Sequence, residues 1–286
     1  MIVLPNIDIL ELCFNFKNIS AHKKVFDIVY NGTNEICFSK KYIAFLEQSI
    51  SDTALFEALI TELSDTGRLR IETTTEKNNL REEFIEIATK SNISVLIPVV
   101  YDDVTNLQRK IPALLIVNKG APVNMHWIKL ELLSNHKCNV SYQQFNSNAE
   151  IETLFSNLFA IPKIITDVYV FNRQQETRFL SNVSGLAINY YTFLYRGSKM
   201  NEHELLPPKR DLKKILGNRL KLFYTGNARL IHERKIIFDE LLITIDNSFE
   251  NVVINEPTWE INVSYDRQKA TKWKSKCANF REVRGN

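Results

Sequence analysis

The spacing of apolar residues along the first half of the chain predicts helices that alternate with strands. Helices are indicated where apolar residues recur three and four positions apart, and buried strands where short apolar runs are continuous. The predicted helices cover residues 20–30, 40–48, 53–63 and 80–91, and the predicted strands cover residues 2–4, 35–39 and 94–100. This alternation predicts an α/β domain with a mostly parallel sheet.

The second half of the chain contains more strand-like runs, which follow a polar stretch at residues 134–148. Runs at 115–120 and 125–133 precede this stretch and are also expected to be strands. The later predicted helices cover 149–160, 174–183, 209–216 and 268–277, and the later strands cover 163–171, 185–195, 219–225, 229–238, 241–245 and 258–265. We expect two α/β domains, residues 1–135 and 145–286, each long enough to form its own core.

The composition is that of an ordinary globular protein and excludes several classes. Hydrophobic residues make up 44% of the 286 residues and charged residues 24%, as in typical soluble domains. No apolar run approaches the roughly 20 residues of a membrane-spanning helix, and the N-terminal residues lack the pattern of a leader, so we expect a cytoplasmic protein. The four cysteines are scattered without metal-ligand spacing, which predicts buried free thiols.

Basic residues are concentrated near the C-terminus, although the net charge is only +3. Residues 267–284 contain seven basic side chains and one acidic side chain. Within this segment Lys269, Lys272 and Lys276 recur at helical spacing around Trp273, which would place cations and an aromatic ring on one helix face. Such a stripe suits a nucleic-acid backbone, but a solvated terminal helix or an anionic membrane surface would explain it too.

Residues 229–251 carry a second group of chemically active side chains. Two strand-like runs flank the pair Asp239 and Glu240, which predicts a tight hairpin. Alternate side chains of a strand share a face, so His232 and Arg234 should point to the same side of the sheet. A histidine beside a fixed positive charge can attack a phosphodiester while the cation holds the phosphate oxygens. The structural alternative is a histidine that is merely hydrogen-bonded within the sheet.

The spacing of His232, Arg234 and Asp239 resembles the HxK(x4)D motif of the phospholipase D superfamily, with arginine in place of lysine. After the second strand the chain keeps Ser248 and Asn251 of the family pattern but lacks its glycine. The resemblance covers residues 149–284 loosely and implies a mixed sheet. It also implies that His232 is the nucleophile, that the other four residues bind the phosphate or support the site, and that single-motif chains act as homodimers.

Ordinary turn chemistry offers a competing explanation for three of these residues. Asp239 lies at the expected hairpin corner, where it is equally suited to form the turn. Ser248 and Asn251 follow the end of a strand, where serine and asparagine commonly occur in turns. Both explanations remain open from the sequence.

The order of elements in the first domain resembles that of PIN-type nucleases. The segments that carry this resemblance are residues 37–39, 82–88 and 95–102. PIN chemistry needs a cluster of carboxylates around Mg²⁺ or Mn²⁺, but the matching positions offer only the weak candidates Glu82, Asp102 and Asp103. We therefore expect a degenerate PIN-like, three-layer domain without a bound metal, and no cofactor in either domain.

The two resemblances imply a nucleic-acid-binding protein or a nuclease-like phosphodiesterase from a prokaryotic defence or conflict system. Nucleic acid is the expected partner, and a protein of the same defence complex is a further candidate. The alternative is a non-catalytic interaction or regulatory subunit, in which the segment from His232 to Asn251 binds phosphate or a partner protein.

Overall fold

The computed structural model describes residues 1–15, 20–31, 34–75, 77–90, 93–98, 114–117, 125–159, 166–173, 177–193, 202–231, 233–256 and 258–285. The chain divides into two compact units, Met1–Asn135 and His136–Asn286. Each unit contains one sheet. The sheet of the first unit is parallel and that of the second is mixed, so the predicted α/β class is confirmed.

The described part of the first unit is built on a sheet of five parallel strands. These are β1 (Ile2–Pro5), β2 (Glu35–Phe38), β3 (Leu69–Ile71), β4 (Ile93–Pro98) and β5 (Leu114–Val117). Their order across the sheet is β3-β2-β1-β4-β5. Strands β2 and β3 therefore lie on one side of β1, and β4 and β5 lie on the other side. This change of direction creates a topological switch point between β1 and β4.

Helices connect these parallel strands, because a parallel pair cannot be joined by a tight turn. They are α1 (Ile7–Phe14), α2 (Ser20–Phe26), α3 (Lys40–Ser49), α4 (Thr53–Asp65) and α5 (Leu80–Ala88). A further helix, α6 (Met125–Asn135), follows β5. A π-helical turn, Asp27–Asn31, extends α2. Side-chain oxygens of Asn6, Ser39, Asp52 and Asn79 accept backbone N–H groups at the starts of α1, α3, α4 and α5, which explains where these helices begin.

Two predictions for the first unit are wrong. Helix α1 was not expected, yet Asn6 caps it and Ile9, Leu10 and Cys13 are buried. Residues 125–133 form the helix α6 rather than a strand. Their apolar residues alternate with polar ones, but the charged Glu131 pairs with Lys24 of α2. The alternation of apolar and polar residues is therefore that of a helix with packed neighbours on more than one side. It does not come from a strand with one solvated face.

The second unit is built on a sheet of eight described strands. These are β6 (Lys137–Ser141), β7 (Asp167–Asn172), β8 (Ala187–Phe193), β9 (Leu220–Thr225), β10 (Arg234–Phe238), β11 (Leu241–Ile245), β12 (Glu260–Tyr265) and β13 (Arg281–Glu282). Their order is β13-β9-β8-β7-β10-β11-β12-β6. Strands β7, β8 and β9 are mutually parallel, whereas β10, β11, β12, β6 and β13 pair antiparallel to their neighbours.

Both faces of this sheet are apolar, and helices lie against them. The helices are α7 (Asn148–Phe159), α8 (Leu206–Leu216) and α9 (Arg267–Ser275). Phe159 of α7 packs on Phe238 of β10 with ring centroids 5.3 Å apart. On the opposite face Phe171 and Tyr191 form a cluster with residues that include Ala270 of α9. The sheet is therefore buried on both sides over its central strands.

Several boundaries in the second unit differ from the predictions. Strand β10 begins at Arg234 rather than at residue 229, because Ala228–Leu230 form a 3₁₀ turn. In the segment predicted as a helix at 174–183, the described residues 177–183 contain only the 3₁₀ turn Leu180–Val183. The polar run 134–148 includes β6, which pairs with β12. Cys138 and Val140 of β6 are buried, so a strand that was not expected completes this end of the described sheet.

The hairpin predicted around Asp239 and Glu240 is confirmed. Strands β10 and β11 pair antiparallel, with Phe238 opposite Leu241 and Arg234 opposite Ile245. Asp239 has a φ of +52°, a left-handed conformation that aspartate and asparagine tolerate better than most residues. Asp239 therefore acts as a turn residue, roughly 16 Å along an extended strand from Arg234.

None of the helices in the described part of the chain combines the length and the apolar character needed to cross a bilayer.

The left-handed turn generates a stability prediction for Asp239. Asp239→Gly should maintain or raise the free energy of unfolding, because glycine adopts positive φ without a steric cost. Asp239→Val should lower it by about 1–2 kcal/mol, because a β-branched residue is strained there. Urea unfolding followed by circular dichroism would measure both. A large loss of stability in Asp239→Gly would show that the carboxylate, not the backbone conformation, is required.

Candidate active site

The carboxyl ends of the parallel strands in the second unit bring polar side chains into one row. Asn172 of β7, Thr192 of β8 and Tyr224 of β9 are register partners. Lys235 is opposite Phe171, so Arg234 lies one position further on, beside Asn172. Register partners share a face of the sheet, and we call these four residues the polar row. Ligands of open α/β sheets commonly bind outside the carboxyl ends of parallel strands.

Arg234 carries a positive charge that is not paired within the described residues. Its Nη1 donates a long hydrogen bond of 3.5 Å to the carbonyl oxygen of Asp246. Its Nε is buried and has no hydrogen-bond partner in the described part of the chain. An unsatisfied buried N–H destabilises the folded state by about 1–3 kcal/mol. The guanidinium is therefore suited to an anion that would accept from it.

A second arginine, Arg173, follows β7 and holds the segment that precedes β10. The Nε of Arg173 donates to the carbonyl oxygen of Ile231 at 2.9 Å, and its backbone N–H donates to Oδ1 of Asn172 at 2.8 Å. Asn172 is fully buried and donates from Nδ2 to the Tyr190 hydroxyl at 3.1 Å. Ile231 precedes His232, which lies outside the described residues. Sequence reasoning missed Arg173; its position directly after the apolar strand 168–171 was the available signal.

Ser248 and Asn251 lie in the turn that follows β11, next to the start of β10. Ser248 is buried, and its N–H donates to Oδ1 of Asn247 at 2.7 Å. Nδ2 of the exposed Asn251 donates to the same oxygen at 3.3 Å. Since Arg234 is opposite Ile245 and contacts Asp246, the hairpin brings Arg234 to this turn. Among the described residues of the predicted catalytic group, Asp239 is separated from Arg234, because it lies at the far end of the hairpin.

Arg178 holds this turn in place and was also missed from the sequence. Its Nη1 donates to the carbonyl oxygens of Phe249, at 3.0 Å, and Val252. Its Nη2 is 2.6 Å from Oε1 of Glu152 in α7, and its guanidinium lies over the ring of Phe155. The Arg178 side chain is only 10% exposed. The turn that carries Ser248 and Asn251 is therefore anchored to α7.

The opposite face of β10 carries Lys235, which is almost fully buried. Its Nζ is 2.5 Å from Oε2 of Glu233 and lies 4.3 Å from the ring centroid of Trp273. Burial lowers the pKa of Lys235 from its ordinary value, and the Glu233 carboxylate opposes this shift. Lys235 therefore belongs to the aromatic cluster beneath α9, on the other side of the sheet from Arg234.

The residues predicted to bind nucleic acid all lie on or next to α9, but they have different surroundings. Lys272 is exposed, and the exposed Lys269 pairs with Asp266 at 3.5 Å. Trp273 packs edge-on against Phe171, and Nζ of Lys276 lies 3.6 Å from its ring centroid. Base stacking on Trp273 would require these neighbours to move, whereas Lys269 and Lys272 face solvent.

Of the three acidic candidates in the first unit, the described residues include only Glu82. Asp102 and Asp103 lie outside the described residues. Glu82 is exposed in the first turn of α5, where its carboxylate accepts from the N–H of Asn78. No group of three or more potential metal ligands from His, Cys, Asp and Glu is found among the described residues.

The acidic residue of α5 that points inward is Glu83, the neighbour of the predicted Glu82. It is fully buried and accepts from Ser39 Oγ at 2.5 Å and from Thr74 Oγ1. Its second oxygen has no hydrogen-bond partner in the described part of the chain. Adjacent residues of a helix point in different directions. The sequence of α5 has two consecutive glutamates, and the structure shows that Glu83 is the buried one.

The cysteines agree with the expected free thiols. Cys13, Cys37 and Cys138 are buried, Cys277 is partly exposed, and none forms a disulfide. Burial raises the pKa of Cys13 and of Cys37 to about 12. These two thiols therefore remain protonated and unreactive near neutral pH.

No family model matches this chain, and no curated protein matches it in sequence. Solved structures with some similarity include TrmBL2, described as an archaeal chromatin protein with a novel mode of DNA binding, at 13% identity over 94% of this chain and 95% of its own, with a TM-score of 0.30. NucT from Helicobacter pylori is 12% identical over 49% of this chain and 91% of its own, with a TM-score of 0.34. Polyphosphate kinase from Porphyromonas gingivalis is 10% identical over 76% of this chain and 35% of its own, with a TM-score of 0.36. Scores this low do not by themselves assign a fold or a function.

The contacts of Arg178 predict that it stabilises the turn after β11. Arg178→Ala should lower the free energy of unfolding by about 1–3 kcal/mol, because two buried carbonyl oxygens lose their donor. Glu152→Gln should lower it by less than about 1 kcal/mol, because that carboxylate is more than half exposed. Urea unfolding of both variants would test this difference. Equal losses would place the stabilising interaction in the ion pair rather than in the carbonyl contacts.

Proposed function

We propose that the second unit binds a nucleic-acid phosphodiester at Arg234 and cleaves it through His232 without a metal ion. The observation that carries this proposal is the buried, unpartnered Nε of Arg234 at the carboxyl end of the parallel strands. A phosphate oxygen would supply the missing acceptor, and guanidinium matches phosphate in both charge and geometry. The resemblance of the surrounding segment to the phospholipase D motif supports the assignment of His232.

The proposed reaction divides the roles among residues of this chain. The neutral imidazole of His232 attacks phosphorus, a bond to phosphorus forms, and the bond from phosphorus to the leaving oxygen breaks. Arg234 offsets the negative charge on the non-bridging oxygens, and Ser248 and Asn251 donate further hydrogen bonds. Water then hydrolyses the phosphohistidine and regenerates the imidazole. None of these groups requires a divalent cation.

The leaving oxygen needs a proton, and a single site of this kind has only one histidine in the motif. We therefore propose a homodimer in which His232 of a second copy donates that proton. Sedimentation velocity at micromolar concentration should show a dimer. A monomer under conditions where the protein is active would exclude this source of the proton.

The proposed chemistry is tested by comparing variants on oligonucleotides. Activity should survive EDTA and be lost in His232→Ala, whereas the matched variant His203→Ala, in the turn Glu202–Leu205, should remain active. Arg234→Ala should weaken both binding and turnover, because it removes the cation from the phosphate. Arg234→Lys restores the residue of the family motif and should be as active as the wild type or more so.

A different outcome would favour the non-catalytic alternative. If wild type and Arg234→Lys are inert on every phosphodiester tried while His232→Ala folds normally, the site is not catalytic. Retained binding of phosphate or of a partner protein would then support an interaction or regulatory subunit.

We also propose, on the resemblances alone, a role in a prokaryotic defence or conflict system. Bacteria that express the wild-type chain with its neighbouring genes should plate fewer phage than bacteria that express His232→Ala. Equal plating would remove the support for a defence role without affecting the proposed chemistry.

A further inference from the structure

We infer that the second unit binds a single-stranded nucleic acid on the face of its sheet that carries α9, by stacking a base on Phe223 and contacting a phosphate with Lys221. The polar row lies on the opposite face, because Asn172 and Phe171 are consecutive residues of β7. The inference therefore does not rest on the proposed cleavage at Arg234. It adds a surface that holds the strand by its bases as well as by its phosphates.

Three aromatic rings form a stack across the parallel strands on this face. Phe171, Tyr191 and Phe223 are register partners on β7, β8 and β9. The ring centroids of Phe171 and Tyr191 are 4.8 Å apart, and those of Tyr191 and Phe223 are 4.6 Å apart. The interplanar angles are 14° and 10°. The rings therefore stand side by side, and each covers a face of its neighbour.

The stack ends at Phe223, because no further ring packs on its outer side within the described residues. Phe171, at the other end, is packed against Trp273, whereas the ring of Phe223 contacts that of Tyr191 alone. Phe223 is partly exposed, and its outer neighbour is β13, where its register partner is the exposed Glu282. A flat base would continue the stack, because every base has a face that stacks on an aromatic ring.

Polar side chains lie close to this ring on the same face. Lys221 is two residues before Phe223 on β9, so their Cα atoms are roughly 7 Å apart along the strand. Asn189 is the register partner of Lys221 on β8. Lys221 is exposed, and neither side chain has a hydrogen-bond or ion-pair partner within the described residues. The Lys221 ammonium is therefore available to a phosphate, and the Asn189 amide to a base or sugar.

Lys274 of α9 brings a second cation to this surface. Its Nζ lies 5.3 Å from the ring centroid of Tyr169. Tyr169 is the register partner of Asn189, so Tyr169, Asn189 and Lys221 form one row across three strands. The two ammonium groups thus lie at opposite ends of this row, an arrangement suited to a polyanionic strand that crosses the sheet. Trp273, which the sequence offered for stacking, is instead packed in the aromatic cluster.

Two acidic residues on the same face restrict where phosphates can lie. Asp167 is at the start of β7, and Glu282 is beside Phe223. Both carboxylates repel phosphates, so the phosphates are directed to the two lysines. Glu282 also accepts hydrogen bonds, and the amino group of cytosine is a donor that suits it. A strand of cytosine nucleotides is therefore a suitable probe.

The experiment measures binding of a deoxycytidine hexamer by isothermal titration calorimetry. Every protein in the series carries His232→Ala, so that the proposed site does not cleave the strand. Phe223→Leu keeps an apolar side chain but removes the ring, and it should weaken binding at least about fivefold, the low end for stacking of one base. Phe223→Tyr keeps the ring and should bind like the parent. Tyr142→Leu removes a partly exposed ring elsewhere in the unit and should also bind like the parent.

An abasic hexamer with the same number of phosphates separates stacking from charge. The parent protein should bind it no more tightly than Phe223→Leu binds the cytosine hexamer. Lys221→Ala should reduce the slope of log K against log salt by roughly 0.7, the value for one single-strand phosphate contact. Lys137→Ala, which removes an exposed lysine from β6, is the matched control and should leave the slope unchanged.

The outcomes separate this inference from the proposed function. Binding that survives Arg234→Ala but is weakened by Phe223→Leu supports this surface even if no phosphodiester is cleaved. Binding that is lost in Arg234→Ala and unchanged in Phe223→Leu places the strand at the polar row alone and overturns the inference. Equal losses in Phe223→Leu and Phe223→Tyr, or no binding of the hexamer by the parent protein, would also overturn it.

Discussion

The register of the β10–β11 hairpin is the constraint on which the rest of the candidate site depends. Pairing from Phe238–Leu241 to Arg234–Ile245 brings the start of one strand beside the end of the other. A slip of one residue would turn Arg234 to the opposite face and bring Lys235 into the polar row. The left-handed φ of Asp239 closes the turn that sets this register.

Most buried polar groups around the site have a hydrogen-bond or ion-pair partner, so a group that lacks one is informative. Asn172, Lys235 and Arg178 each have hydrogen-bond or ion-pair partners that offset their desolvation. The Nε of Arg234 has none among the described residues. Polar groups left unsatisfied in an otherwise satisfied environment often occur where a ligand is bound. This contrast, rather than similarity to other structures, supports an anion site at Arg234.

The two faces of the second sheet divide structural and chemical roles. One face carries the polar row at its carboxyl edge, above an apolar interior. The other carries the aromatic cluster of Phe171 and Tyr191, against which Trp273 packs. The basic stripe of α9 thus combines a structural part, Trp273 with Lys276, and an exposed part, Lys269 and Lys272. The three lysines share their charge and helical spacing, but Lys276 lies over the Trp273 ring whereas Lys269 and Lys272 are exposed.

The sequence by itself determined the features that depend on near neighbours: the α/β class, the capped helices α3 and α4, and the turn at Asp239. Periodicity and turn chemistry are local and can be read from consecutive residues. Only the tertiary structure decided that residues 125–135 are helical, that β6 joins the sheet, and that Glu83 rather than Glu82 points inward. It also decided that Arg173 holds the segment before β10 and that Arg178 holds the turn after β11, because each donates to carbonyl groups more than fifty residues away along the chain. Such contacts are set by strand pairing and packing, which no local pattern records.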